Sequence, residues 1–301
     1  MVAPPDRIDV EAAVIDHLRR HLVDRGYPHG DLDDLRDLAI RSANADFRKI
    51  AAVPRTWTLP KIPLTFDPML QQGVDRLRQA VAAGADLTPF QSTSRLDPNF
   101  NDHLFSDWGI HHFHLGINQH PLHPEFVGRT GPVLFAFPTQ DRFLVIGIDE
   151  HGAWTDPQLL EVLHENWPEE LSRYRHFGAQ ASALTNAEEI KNFRKHGVNG
   201  AVRLADGTVY TCLNSGRAGD GTPVTVVMAA NDLVRTVRQL QKHIDERLQT
   251  MAEIVEQKRG LETAKQQFKF VMVREGENRQ PGYYLDEQMT GYSFHLQSPP
   301  T

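Results

Sequence analysis

Three short apolar segments near the middle of the chain limit the folds that this sequence can adopt. Residues 110–115, 133–137 and 143–149 have the length and composition of strands, and residues 139–141 make the short connection expected of a hairpin between the last two. Helical patterns lie on both sides of these segments. We therefore predict an α+β fold with N-terminal helices, a central antiparallel sheet and a C-terminal α+β segment that contains a long helix.

Apolar residues spaced three and four apart, with capping and stop residues at the ends, indicate where the helices lie. They are expected at residues 10–22, 31–47, 69–83, 157–167, 186–196 and 231–259. Further strands are expected at residues 201–204, 208–213, 224–228, 268–274 and 292–296. Residues 56–68 are interrupted by prolines and are expected to form a connector, and residues 85–106 are expected to be irregular.

The chain of 301 residues is long enough for more than one domain. The change from helical to strand patterns and back predicts three regions. Residues 1–100 form a helical N-terminal region, residues 101–178 a β-rich domain with a histidine cluster, and residues 179–301 a C-terminal α+β region.

The composition is typical of a soluble globular protein, with 40% hydrophobic and 24% charged residues. A formal net charge of -7 argues against a broad basic surface for nucleic acid, although a local basic groove remains compatible with it. Cys212 is the only cysteine, so no intrachain disulfide can form. Because we find neither a signal-peptide core nor an apolar run of about 20 residues, we expect a cytoplasmic protein that does not enter the membrane.

Histidines are concentrated in one window, since six of the fifteen lie between His103 and His123. Alternate side chains of a strand share a face, so His112 and His114 are expected to project together while His111 projects from the other face. Imidazole changes charge near neutral pH and is a frequent metal ligand. The window is therefore the best candidate for a site.

One hypothesis for this pair is a metal centre. Imidazole and carboxylate groups bind zinc or manganese, and a third ligand would come from another part of the chain. Asp107 is the expected third ligand in this hypothesis, and the other candidates are His103, His120 and His123. The cofactor is thus predicted to be either absent or a divalent metal.

The same pair can also act without metal. One imidazole accepts a proton from a nucleophile while the other donates a proton to the leaving group. Cleavage of RNA, with the ribose 2′-hydroxyl as nucleophile, needs such a pair and a cation that binds the phosphate. Arg129 and Arg142 are the expected phosphate ligands, and Lys195 is a further candidate.

His151 directly follows the third predicted strand, where loops carry functional groups on a rigid scaffold. If the three strands pair in order, His151 approaches the face that carries His112 and His114 and assists them. The alternative is that these histidines are structural and only hydrogen-bond to neighbouring backbone, as buried polar groups must.

The order of elements in residues 109–161 carries a resemblance to a known family. A first strand ends in a loop, Arg129 precedes the apolar strand 133–137, and a hairpin leads to the apolar strand 143–148. In this pattern the segment resembles the sheet of the RelE-like toxin RNases, which implies RNA cleavage with Arg129 as a phosphate contact. The chain departs from the family because it is large and acidic, and because residues 151–154 replace a basic or aromatic catalytic segment.

The sequence thus predicts a toxin-like endoribonuclease or other phosphodiesterase. His112 and His114 form its acid–base pair, His151 assists, and RNA is the partner. One alternative is a metal-dependent hydrolase that uses His112, His114 and Asp107. The other is a non-catalytic interaction protein that forms a homo-oligomer through residues 231–259, whose apolar positions resemble a heptad seam.

Overall fold

The structure of the protein is a computed structural model that describes residues 7–27, 32–62, 64, 67–176, 183–274 and 279–297. The chain divides into two compact units. The first combines Met1–Ala43 with Met228–Thr301, and the second is Asn44–Val227. The boundaries expected from the sequence, near residues 100 and 178, both lie inside the second unit.

The described residues contain eight α-helices, of which the last is much the longest. They are α1 Val10–Asp24, α2 Leu35–Phe47, α3 Pro68–Ala83, α4 His103–Trp108, α5 Gln158–Asn166, α6 Pro168–Leu171, α7 Ala187–Lys195 and α8 Val224–Arg259. Within these residues no helix combines the length and apolar character that a bilayer crossing requires. The fold is α+β with a long C-terminal helix, as predicted.

Nine strands in three sheets complete the described secondary structure. The strands are β1 Thr56–Thr58, β2 His111–His114, β3 Pro132–Pro138, β4 Arg142–Glu150, β5 Val202–Arg203, β6 Val209–Tyr210, β7 Phe268–Val273, β8 Gly282–Glu287 and β9 Ser293–Leu296. The largest sheet lies in the second unit and has the order β1-β4-β3-β2. Strands β2, β3 and β4 pair antiparallel, as the sequence predicts.

Strand β1 was expected to be part of an irregular connector. It pairs parallel with β4, and the Trp57 ring stacks on Phe143 at 5.2 Å between ring centroids. Three residues between prolines are too few to show a strand pattern in the sequence. The pairing depends instead on the sheet edge that β4 presents and on the aromatic contact.

Both faces of this sheet are buried, which explains why its strands are almost continuously apolar. The face that carries Val133 and Phe135 packs in one cluster with α5, and the face that carries Leu134 and Ala136 packs in another with α3. In the pairing of β2 with β3, His112 lies opposite Phe135 and His114 opposite Val133. The two histidines therefore belong to the α5 face.

The prediction of a strand at residues 224–228 is wrong, because these residues form the first turns of α8. The β-branched run that starts at Val224 is typical of a strand, but the helical apolar stripe already begins at the buried Val226 and Ala230. Asn231 lies inside the helix and is not its cap. Later members of the stripe, such as Leu240 and Ile244, are buried within the chain itself, so the oligomer through residues 231–259 stays a prediction.

Candidate active site

Strand β2 supplies the first two imidazoles of the site. The chain leaves α4 through Gly109, whose φ of 70° is a left-handed conformation that glycine adopts readily, and enters β2 within two residues. The rings of His112 and His114 lie on one face with their centroids 6.0 Å apart. This shared face is the one that the strand period predicts.

His151 joins the pair from the end of β4. Its backbone N–H donates to the carbonyl of Gly131 at 3.0 Å, which holds the turn against the start of β3. Its ring centroid lies 5.9 Å from that of His112 and 5.5 Å from that of His114. One ring nitrogen of each of the three histidines lies within 4.8 Å of the others. We call these three side chains the histidine cluster.

Burial makes the cluster resist protonation. It lowers the pKa of His114 to about 4, and nearby His112, His151 and Arg129 act in the same direction. Burial also lowers the pKa of His112, although the carboxylate of Asp102 opposes this. The pKa of His151 is lowered by burial and by Arg129. At neutral pH the three rings are therefore mainly uncharged.

The hydrogen bonds of His114 indicate which ring nitrogen carries its proton. The backbone N–H of Thr130 donates to Nδ1 of His114 at 3.4 Å, so Nδ1 presents a lone pair. In a neutral ring the proton then resides on Nε2. Nε2 of His114 and Nδ1 of His112 are both buried and have no hydrogen-bond partner in the described part of the chain.

A cavity of about 730 Å³ opens over the cluster. His112 and His151 line it, whereas His114 lies beneath them and is only 2% exposed. Among the described residues four cations line it, Arg129, Lys191, Arg194 and Lys195, against one carboxylate, that of Asp102, and its aromatic lining residues include Phe100 and Trp154. The Trp154 ring contacts the cluster, with its centroid 4.6 Å from that of His151. The cavity is thus locally basic although the chain is acidic.

Asp107 does not belong to the histidine cluster. Its Oδ2 accepts from Nε of Arg194 at 2.7 Å and its Oδ1 from Nε of Arg217 at 3.0 Å, and all three side chains are buried. Arg194 also donates to the carbonyl of Trp154 and lies 4.5 Å from the centroid of the Trp108 ring. This ion group therefore joins α4, α7 and the loop that follows His151. The third side chain beside His112 and His114 is thus His151 and not Asp107, which the metal hypothesis named as the third ligand.

Of the two predicted phosphate ligands, the cavity contains only Arg129. Arg142 lies at the start of β4, where it pairs with Glu169 at 3.4 Å and with Glu170. Lys195, the further candidate for a phosphate ligand, lines the cavity.

The remaining histidines of the window have separate roles. His111 lies on the other sheet face, where its Nδ1 is 3.2 Å from Nε2 of Gln91. His120 accepts the backbone N–H of His123 at 3.2 Å within a turn. His103, at the start of α4, lines the cavity.

Among the cavity residues that were not assigned to the site from the sequence are Trp154 and Lys191. The signal for Lys191 is its spacing of four from Lys195 on a predicted helix, which places both on one side of that helix.

Comparison of the chain with protein-family models, with curated proteins and with solved structures finds no match.

Proposed function

We propose that the chain is a phosphodiesterase that cleaves RNA with imidazole side chains and without metal. The observation that carries this proposal is the histidine cluster at the floor of a basic cavity, with Arg129 beside it. The cavity supplies the groups that 2′-hydroxyl attack needs: imidazoles for the two proton transfers and a guanidinium for the phosphate. The resemblance of residues 109–161 to RelE-like toxin RNases is part of the same proposal.

The positions of the rings favour a particular division of roles. His112 faces the cavity and accepts the proton of the 2′-hydroxyl as its oxygen attacks phosphorus. His151, which is exposed, donates a proton to the leaving 5′-oxygen, because the charge of the bound phosphate raises the tendency of this ring to be protonated. Arg129 binds the phosphoryl oxygens. The first product carries a 2′,3′-cyclic phosphate.

We assign His114 a different role from the acid–base function expected from the sequence. A pKa of about 4 leaves little imidazolium at neutral pH, and the ring does not line the cavity. The His114 ring is nearly parallel to that of His151, with an interplanar angle of 23°, so contact between the two rings fixes the orientation of His151. We propose His114 as a positioning residue.

The test is cleavage of a fluorescent RNA oligonucleotide by His112→Ala and His151→Ala. Each variant is expected to lose at least about 100-fold in rate, the lower range for general acid or base catalysis, while its circular dichroism stays unchanged. His176→Ala is the matched control, because His176 is exposed in the same unit and does not line the cavity. Full activity of both cluster variants contradicts the proposal. Cleavage of an all-deoxy oligonucleotide, which lacks the 2′-hydroxyl nucleophile, contradicts it as well.

A metal-dependent hydrolase is the second candidate, favoured by three ring nitrogens within 4.8 Å of one another. The contact from Thr130 opposes it, because a metal on Nε2 of His114 needs the ring proton on Nδ1, where the Thr130 N–H already donates. Elemental analysis of the purified protein and cleavage after dialysis against EDTA separate the two candidates. Stoichiometric zinc or manganese that is lost together with activity establishes the metal enzyme.

A further inference from the structure

We infer that the cavity wall formed by α7 and Trp154 is a second nucleotide subsite, so that the substrate is a single-stranded polynucleotide bound through more than one phosphate. This inference rests on the proposed function, which gives the reaction. The ligand is inferred from the cavity wall alone. Lys191 and Lys195 bind the phosphate next to the one that is cleaved, and Trp154 stacks against a base.

The spacing of the two lysines suits a phosphate. They lie four residues apart on α7, which separates them by about 6 Å along the helix axis, and both line the cavity. Both are exposed, and neither forms an ion pair within the described residues. Among the described residues the carboxylate that lines the cavity is that of Asp102, and neither lysine is paired with it, so a bound anion would stabilise the two ammonium groups.

The helix that carries them is fixed in orientation. Arg194, between the two lysines in sequence, is anchored on the buried Asp107 and on the carbonyl of Trp154. The ion group contains two arginines and one aspartate, so it adds a net positive charge behind the wall. Of the two acidic residues of α7, Glu189 accepts a hydrogen bond from Thr185 at the start of the helix, and Glu188 does not line the cavity.

Trp154 lies between the histidine cluster and α7. Its ring is half-buried, lines the cavity and contacts His151, while its carbonyl is bound to α7 through Arg194. An aromatic ring beside a row of cations is the combination that binds single strands, because every base has a face that stacks. The cavity of about 730 Å³ has room for a ligand larger than a single phosphate.

The experiment measures binding and does not need cleavage. A fluorescein-labelled single-stranded oligodeoxynucleotide, which lacks the attacking hydroxyl, is titrated with wild-type protein at several salt concentrations, and anisotropy gives Kd. Three phosphate contacts, from Arg129, Lys191 and Lys195, predict a slope of log affinity against log salt of about -2, at about -0.7 per contact. The Lys191→Gln/Lys195→Gln double variant is expected to reduce the slope to about -0.7.

Two further variants make the result specific. Lys242→Gln/Lys258→Gln removes two exposed lysines of α8 and is expected to leave both slope and affinity unchanged. Trp154→Ala is expected to weaken binding roughly 5- to 140-fold without changing the slope, as the loss of one stacked base would, and Trp154→Phe restores most of the affinity.

The outcomes separate this inference from the proposed function. Equal slopes for the wild type and the α7 double variant, or no oligonucleotide binding, overturn the subsite even if RNA is cleaved. If an acidic peptide displaces the labelled oligonucleotide as effectively as unlabelled oligonucleotide does, the assignment of the ligand as a polynucleotide is wrong. If the α7 variant lowers the slope as expected while no RNA is cleaved, the subsite stands and the proposed reaction is wrong.

Discussion

The buried ring of His114 makes the stability of the second unit depend on pH. Its pKa is about 4 in the folded chain and 6.5 in its ordinary state. A proton therefore binds more tightly to the unfolded chain, so the stability that His114 contributes is present above pH 6.5 and is lost as the pH falls toward 4. The full loss is about 3 kcal/mol, and about 2 kcal/mol of it falls between pH 7 and pH 5.

His114→Asn is the appropriate perturbation, because an asparagine oxygen can still accept the Thr130 N–H and the side chain does not titrate. The variant is expected to be less stable than the wild type at pH 7, because it removes a buried ring. The difference in unfolding free energy should then narrow by about 2 kcal/mol at pH 5, because residue 114 takes up a proton in the unfolded wild-type chain and not in the variant.

Urea denaturation followed by tryptophan fluorescence measures this difference. All four tryptophans lie in the second unit, so the signal reports the unit that contains the cluster. Measuring both proteins at each pH cancels the other groups that titrate in this range. If the wild type and the variant lose stability in parallel, with the gap changing by less than about 0.5 kcal/mol, then His114 is not held neutral by burial.

Two substitutions away from the cluster test the supporting structure. Asp107→Ala leaves two buried guanidinium groups unpaired and is expected to cost about 3–5 kcal/mol in urea denaturation, whereas Asp141→Ala, at an exposed hairpin, should cost less than about 1 kcal/mol. Gly73→Ala is expected to lower the Tm although alanine usually favours a helix by about 1 kcal/mol, because its Cβ would lie 1.9 Å from the carbonyl oxygen of Leu115. Gly219→Ala, which meets no atom within 4 Å, should leave the Tm nearly unchanged, and a similar Tm for both glycine variants would show that the close approach is absent.

The central sheet could be predicted from the sequence because it depends on residues that are close together in the chain. Alternation along β2 placed His112 and His114 on one face, and the short connection between β3 and β4 brought His151 to the same end of the sheet. Both inferences need only the strand period and pairing of neighbouring strands in order. The start of the helix predicted at residues 186–196 is equally local, since Oδ1 of Asn186 accepts the N–H of Glu189 three residues on.

What the sequence could not provide depends on contacts between distant residues. Asp107 precedes the histidine run and has the chemistry of a metal ligand, but Arg194, 87 residues away, and Arg217 bind both of its oxygens. Strand β8 was missed because its tyrosines and charged residues show no clear alternation, and it is defined by pairing with β7 and β9 on either side.

The electrostatics of the cavity show why the net charge of a chain is a weak guide to its ligand. A formal charge of -7 argues against a broad nucleic-acid surface, yet four cations and one carboxylate line the cavity within the described residues, and Lys191 and Lys195 of α7 form no ion pair there. The ion group of Asp107 fixes this wall against the loop of His151, so the cations stay within reach of the cluster. Charge within about 8 Å governs binding at physiological salt, since more distant charges are screened. The arrangement of cations around Trp154, rather than their total number, therefore determines whether the cavity binds a polyanion.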